Sequence, residues 1–242
     1  MTLPDLEFTA NPGQVWRVGY KPDPWAWTDW VHATDEGRFN GRWDDKLAEF
    51  RTIYTGESLV ACLLELLAQF RPDPVANSEL DEIEDPDGSV SLYPDAPSGT
   101  VGYKWLERHI AGSAQQTGRY CFVTHSKTIA ALQASFPFAK FDQPGALLDA
   151  SILKDASRRG LTRSIARWLY DLRDTDQNDL VDGVEFRSRF GDELRIWAVF
   201  ERLPDKFLHI SQRIDGEEIL PLDPDGPAMR HVFELHGLRW KD

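Results

Sequence analysis

Leu59, Leu63, Leu66, Leu67 and Phe70 recur at helical spacing and make one apolar face. Glu57 or Ser58 stands before them as a cap, and Pro72 and Pro74 close the segment. A second amphipathic helix is predicted from Leu161, Ile165, Trp168, Leu169 and Leu172. Short strands are predicted at Val15 to Val18 and at Thr52 to Thr55, the latter broken by Gly56. Arg119 to Thr124 alternates as a strand does, and Ser126 offers a cap for a short helix through Leu132. Val184 to Arg189 and Arg195 to Phe200 read as paired strands around a turn containing Gly191, with a further strand at Phe207 to Ile210. Strands dispersed among helices point to a single α+β domain, and no repeat period suggests a solenoid.

Between these elements lie irregular stretches. Tyr20 to Asp45 is rich in tryptophan and punctuated by Pro22, Pro24, Gly37 and Gly41. Phe136 to Pro144 is a second aromatic stretch. Residues 78–100 carry seven acidic side chains and no basic one, which reads as a surface excursion outside any cleft.

Composition narrows the function. The formal charge of −13 repels polyanions, so direct nucleic-acid binding is not expected. A small anion remains acceptable, because a few local arginines suffice to hold one. Nine tryptophans supply large buried anchors. Cys62 and Cys121 lack metal-type spacing and fit a reducing compartment. The six histidines contain no i, i+4 pair, so no metal site is expected. Met1 to Gly13 has no apolar signal region and no run of about 18 apolar residues occurs, so the expected address is the cytoplasm, away from membranes. Neither common Gly-rich phosphate loop nor a Gly-x-Ser-x-Gly elbow is present.

Beyond the histidines, three features bear on chemistry. Arg17, Arg38 and Arg42 could fork onto a diphosphate, although loop arginines also serve as solvated surface. Tyr54 precedes the first helix, and Glu65 lies on it, away from the Leu59/Leu63/Phe70 face and beside Ala61, Cys62, Ala68 and Gln69. A glutamate there suits close approach to a ligand or plain solvation. Ser188 shares a strand face with Val184 and Phe186, while Glu185, Arg187 and Arg189 are expected on the other. Its inward hydroxyl needs a partner, either ligand or backbone.

The order of these features resembles the RES family, named for its arginine, glutamate and serine. The matching segments are Trp16-Arg17-Val18, Gly37 through Trp43, Tyr54 through Ser58 running into Ala61 to Glu65, Asp182 through Arg189, and Trp197 through Glu201. The resemblance implies an ADP-ribosyltransferase-like split β-sheet enclosing an NAD cleft. It implies one RES-like domain over 1–242, with a core of about 15–201, an acidic insertion of about 78–100 and a C-terminal extension over 202–242. It further implies NAD as substrate rather than cofactor, cleaved at the nicotinamide–ribose bond, with phosphate or water as acceptor. Glu65, Arg42 and Ser188 take the catalytic positions; Arg17, Tyr54 and Arg38 take the substrate-binding ones, Tyr54 against the nicotinamide or ribose face. Many RES proteins are toxins paired with a helix-turn-helix antitoxin, which makes an antitoxin a candidate partner here; a homo-oligomer also stays open. Two other readings remain at this point. One is transfer of ADP-ribose to a macromolecule, and the other is a fold that binds NAD without turnover.

Overall fold

Two groups of strands meet at a single residue pair. The computed structural model describes residues 3–72, 98–141 and 146–241. The strands of its main sheet are β1 (Phe8–Ala10), β2 (Gly13–Tyr20), β3 (Thr52–Gly56), β5 (His109–Gln116), β6 (Arg119–Phe122), β7 (Gly183–Ser188), β8 (Gly191–Phe200) and β9 (Ile214–Leu220). They lie in the order β1-β6-β7-β8-β3-β2-β5-β9. Within the first group β3 pairs with β8 from Thr52↔Phe200 to Gly56↔Ile196. Within the second, β2 pairs with β5 along its whole length, from Gly13↔Gln116 to Tyr20↔His109. Between the groups, β2 and β3 share only Trp16↔Gly56. The strands diverge from that point, so the sheet is split, as expected. All pairings are antiparallel except β6 with β7. A small parallel pair, β4 (Thr100–Gly102) with β10 (Arg239–Lys241), lies apart.

Both faces of the sheet are covered, and the alternation along β8 shows how. Ile196, Ala198 and Phe200 point into the larger core with the helices. Trp197 and Val199 point the other way, onto Trp25 and Trp27 of the tryptophan-rich stretch. The larger core is built on α1 (Leu59–Leu67), α5 (Arg159–Asp171) and α6 (Pro227–His236), with α2 (Tyr103–Arg108), α3 (Ser126–Ser135) and α4 (Ala150–Lys154) around them. Ser58 caps α1 by accepting from the Ala61 amide at 3.1 Å.

Several expectations need correction. The cap of α3 is His125, whose side chain accepts from the Lys127 amide, so Ser126 is the first helical residue. The strand expected at Phe207 to Ile210 is absent: Leu203–Phe207 is a 3-10 turn, residues 208–210 are bends, and the strands of the tail are β9 and β10. The sequence of β9, Ile-Asp-Gly-Glu-Glu-Ile-Leu, conceals a strand because it lies at the sheet edge with its middle residues exposed. β5 was not anticipated, since His-Ile-Ala-Gly-Ser-Ala-Gln-Gln lacks branched residues at alternate positions. The strand face expected to carry Glu185 is itself covered: Glu185 is 1 % exposed and bonded to Arg195 at 3.1 and 3.2 Å. The acidic stretch 78–100 falls outside the described residues except for its last three.

Candidate active site

The split in the sheet opens a cleft of about 1570 Å³. That exceeds the usual 300–1,000 Å³ of a small-molecule pocket and suits an extended ligand. Arg17, Arg42, Tyr54 and Glu65 all line it, with Phe186 and Phe190 beside them. Their elements converge for simple reasons. β2 brings Arg17 to the split, β3 brings Tyr54 opposite, and the Gly56–Ser58 corner turns the chain into α1, which carries Glu65. The β7–β8 hairpin brings Ser188 back to the same helix.

Glu65 and Ser188 are in direct contact. The Ser188 hydroxyl donates to Glu65 Oε1 at 2.5 Å, the short distance of a charge-assisted bond. Ser188 Oγ also accepts from the Phe190 amide at 3.0 Å. Ser188 is buried and Glu65 half-buried; Glu65 lines the cleft, while Ser188, bonded to its carboxylate, does not itself line it. The inward hydroxyl thus has both a side-chain and a backbone partner.

The arginines differ from one another. Arg17 donates to the Pro24 and Tyr54 carbonyls, the latter at 2.9 Å. Burial lowers its pKa to about 10, which leaves it charged at neutral pH. Arg42 lies over the Phe186 ring, 5.3 Å from its centroid. Its Nη1 is buried with no hydrogen-bond partner among the described residues. Burial pulls its pKa down, while the Glu65 charge nearby pulls it up. A buried guanidinium nitrogen without a partner is costly, and an anionic ligand would satisfy it. Arg38 is not part of this group. It bonds Asp35 Oδ1 at 3.2 Å, the Asp35 carbonyl at 3.1 Å and Glu36 at 3.0 Å, and it does not line the cleft. The tight turn through Gly37, with φ of +84°, returns Arg38 onto Asp35.

Tyr54 lines the cleft, but its hydroxyl is committed elsewhere. It donates to Asp44 Oδ1 at 3.0 Å and accepts from the Trp43 amide at 2.9 Å. Burial raises the phenol's pKa well above its ordinary value, so it remains a donor. The Asp44 carboxyl is also pushed up by burial. Its Oδ2 accepts from the Gly41 amide at 2.5 Å. A Cβ on Gly41 would collide with the Tyr54 hydroxyl and the Asp44 carboxylate, which explains the glycine. Asp44 is thus a site residue that the sequence reading missed. An acid three residues after a glycine, in a turn, was the available signal. Arg159 and Arg189 also line the cleft, a role the sequence did not suggest for either, and both lie close enough to lower the Arg42 pKa.

Cys62 is no nucleophile. It is buried against the strands, donates to the Trp16 carbonyl at 3.1 Å, and burial pushes its thiol up to about 12. Among the described residues no group of three or more histidine, cysteine or acidic side chains could hold a metal ion. None of the described helices is long and apolar enough to cross a membrane.

Among curated proteins nothing matches the chain. A solved structure of the M. tuberculosis MbcT–MbcA toxin–antitoxin complex contains a similar chain, at 13% identity and a TM-score of 0.41, covering 95% of this chain and 92% of that one. The RES-domain family model matches residues 14–224, nearly the whole length, and the chain belongs to the RES-domain family.

Proposed function

We propose that this protein is an enzyme that cleaves the nicotinamide–ribose bond of NAD. The observation that carries the reading is Glu65, held by Ser188 at 2.5 Å and lining one cleft together with Arg17 and Arg42. RES-family membership supports the same substrate.

In this reading the bond from the ribose C1″ to the nicotinamide nitrogen breaks, and its electron pair leaves with nicotinamide. Nicotinamide departs neutral, so no strong general acid is required, and none is needed from the histidines. Positive charge develops on the ribose, as in glycoside cleavage. The Glu65 carboxylate stabilises it and bonds a ribose hydroxyl, and Ser188 fixes the carboxylate's orientation. Water or phosphate then forms the new C1″–O bond and releases its proton to solvent. Arg17 and Arg42 compensate the diphosphate, and Arg42 supplies the unpartnered Nη1. Tyr54 contributes its ring to the cleft wall and its hydroxyl to the loop that carries Arg42. Arg38 takes no direct part; it is bonded to Asp35 and Glu36. In the same reading the protein is the toxin of a toxin–antitoxin pair, and its partner is an antitoxin that restrains this activity.

The test is incubation with NAD, with and without phosphate, followed by mass analysis. Free nicotinamide with ADP-ribose, or with its 1″-phosphate when phosphate is present, is the expected result. Intact NAD after prolonged incubation with folded protein would overturn it. Nicotinamide release that requires an added macromolecular acceptor would turn the reading into ADP-ribosyl transfer.

A further inference from the structure

Arg42 sits in an irregular loop, where a side chain is ordinarily mobile, yet the loop is gripped on both sides of it. On one side the Trp43 amide is held by Tyr54. On the other side stands α5. Arg163, at 8 % exposure, reaches across to the loop with all three of its guanidinium nitrogens. Its Nη1 bonds Asp35 Oδ2 at 2.8 Å, its Nη2 bonds Asn40 Oδ1 at 2.8 Å, and its Nε donates to the Gly41 carbonyl at 3.3 Å. Only an arginine presents this planar fork; a lysine has three donors, but all on one nitrogen, and cannot match partners spread across three. Asn40 is itself buried, at 7 % exposure, and also donates to Thr34 Oγ1 at 3.4 Å.

The helix spacing makes this a ladder. Arg159, Arg163 and Arg167 are four residues apart and share one face of α5. Arg159 lines the cleft. Arg167 ties the far end of the loop through Asp45, at 3.5 Å, and through Glu49. The middle rung holds the residues just before Arg42.

Resting on the reading of Arg42 as a diphosphate ligand, we propose that Arg163 is a positioning residue for substrate binding: it sets the place of Arg42 without touching NAD. Misplacing a binding group by about 1 Å can cost on the order of 100-fold, so the effect is measurable. A merely structural arginine would lower stability and leave the kinetics of the folded fraction alone. A positioning arginine acts through Arg42, and its effect vanishes once Arg42 is gone.

A double-mutant cycle on the full chain decides it. Arg163→Met should raise KM for NAD by about 10-fold or more with a smaller change in kcat, the same split expected of Arg42→Ala. In the Arg42→Ala background, Arg163→Met should add less than about twofold. Arg163→Lys should fall between the two, since it retains charge but not the fork. Effects that multiply fully, or an Arg163→Met protein with unchanged KM, would overturn the proposal. Should Arg163→Met fail to fold, Asn40→Ala removes one rung contact and runs the same cycle. If wild-type protein leaves NAD intact, the functional reading falls separately, and a crystal structure of Arg163→Met, or of Asn40→Ala, still decides the positioning. Displacement of the Gly41–Trp43 backbone supports it, and an unmoved backbone overturns it.

Discussion

Glu65→Gln separates charge from shape on the wall of the cleft. Glutamine keeps the length of the side chain and an oxygen able to accept from Ser188, which now donates to Oε1 at 2.5 Å. What disappears is the negative charge that the proposed mechanism sets against the developing cation. Removing one electrostatic contact of this kind typically costs about 10²–10³ in kcat, or roughly 3–4 kcal/mol. The cost in stability is smaller. The Ser188 bond changes from charge-assisted to neutral, a loss of about 1 kcal/mol. Glu65 is half-buried, and the buried side chains of α1 are Ala61, Cys62, Leu63, Leu64 and Leu67, all untouched. For a domain of this size that corresponds to a fall in Tm of roughly 2–4 °C. The assay is nicotinamide release at saturating NAD, with NAD affinity by calorimetry and Tm by calorimetric scan. Near-normal kcat in a folded Glu65→Gln protein would refute the reasoning, because no charge-dependent step would then run through Glu65. A collapse in Tm would show instead that the residue is a fold element.

Arg42→Ala should raise KM for NAD with a smaller loss of kcat, because a diphosphate contact exists in both ground and transition states; steady-state kinetics that show an unchanged KM would contradict this. Cys62 and Cys121, both with thiols pushed up to about 12 by burial, should resist iodoacetamide at pH 8 in the native protein and react after unfolding. Mass spectrometry reads this, and native-state labelling of Cys62 would show that the α1–β2 packing opens. Burial holds His109 at about 4, below its ordinary 6.5, while its Nδ1 lies 2.7 Å from the Trp105 carbonyl. The unfolded chain therefore takes up the proton first, and stability falls as pH drops from 6.5 toward 4, by roughly 3 kcal/mol in full. Urea unfolding across that range should show the slope, and His109→Asn should flatten it; an unchanged slope would assign the titration elsewhere.

Local patterns made the scaffold of the site legible. The Leu59–Phe70 periodicity with Ser58 before it gave α1, and hence the place of Glu65. The alternation on either side of Gly191 gave the hairpin that returns Ser188 to that helix. What could not be read was long-range. Nothing in the sequence of β5 announces that it completes the second half of the split sheet, because its residues are small or polar and its burial comes from neighbours distant in the chain. Arg38 and Arg42 look alike within one glycine-flanked segment. Only the fold shows that Arg38 is spent on Asp35 and Glu36 while Arg42 faces the cleft. Arg163 was invisible for the same reason. It lies on an amphipathic helix where a solvated arginine was the default, yet its partners are 122 to 128 residues away.

The most direct test of the account is a crystal structure of the Glu65→Gln protein with NAD bound. The account predicts the diphosphate between Arg17 and Arg42, with a phosphate oxygen bonded to Arg42 Nη1, and the nicotinamide ribose against residue 65 and Ser188. NAD found outside the cleft, or bound within it with the adenosine ribose at residue 65 and Ser188, would contradict it.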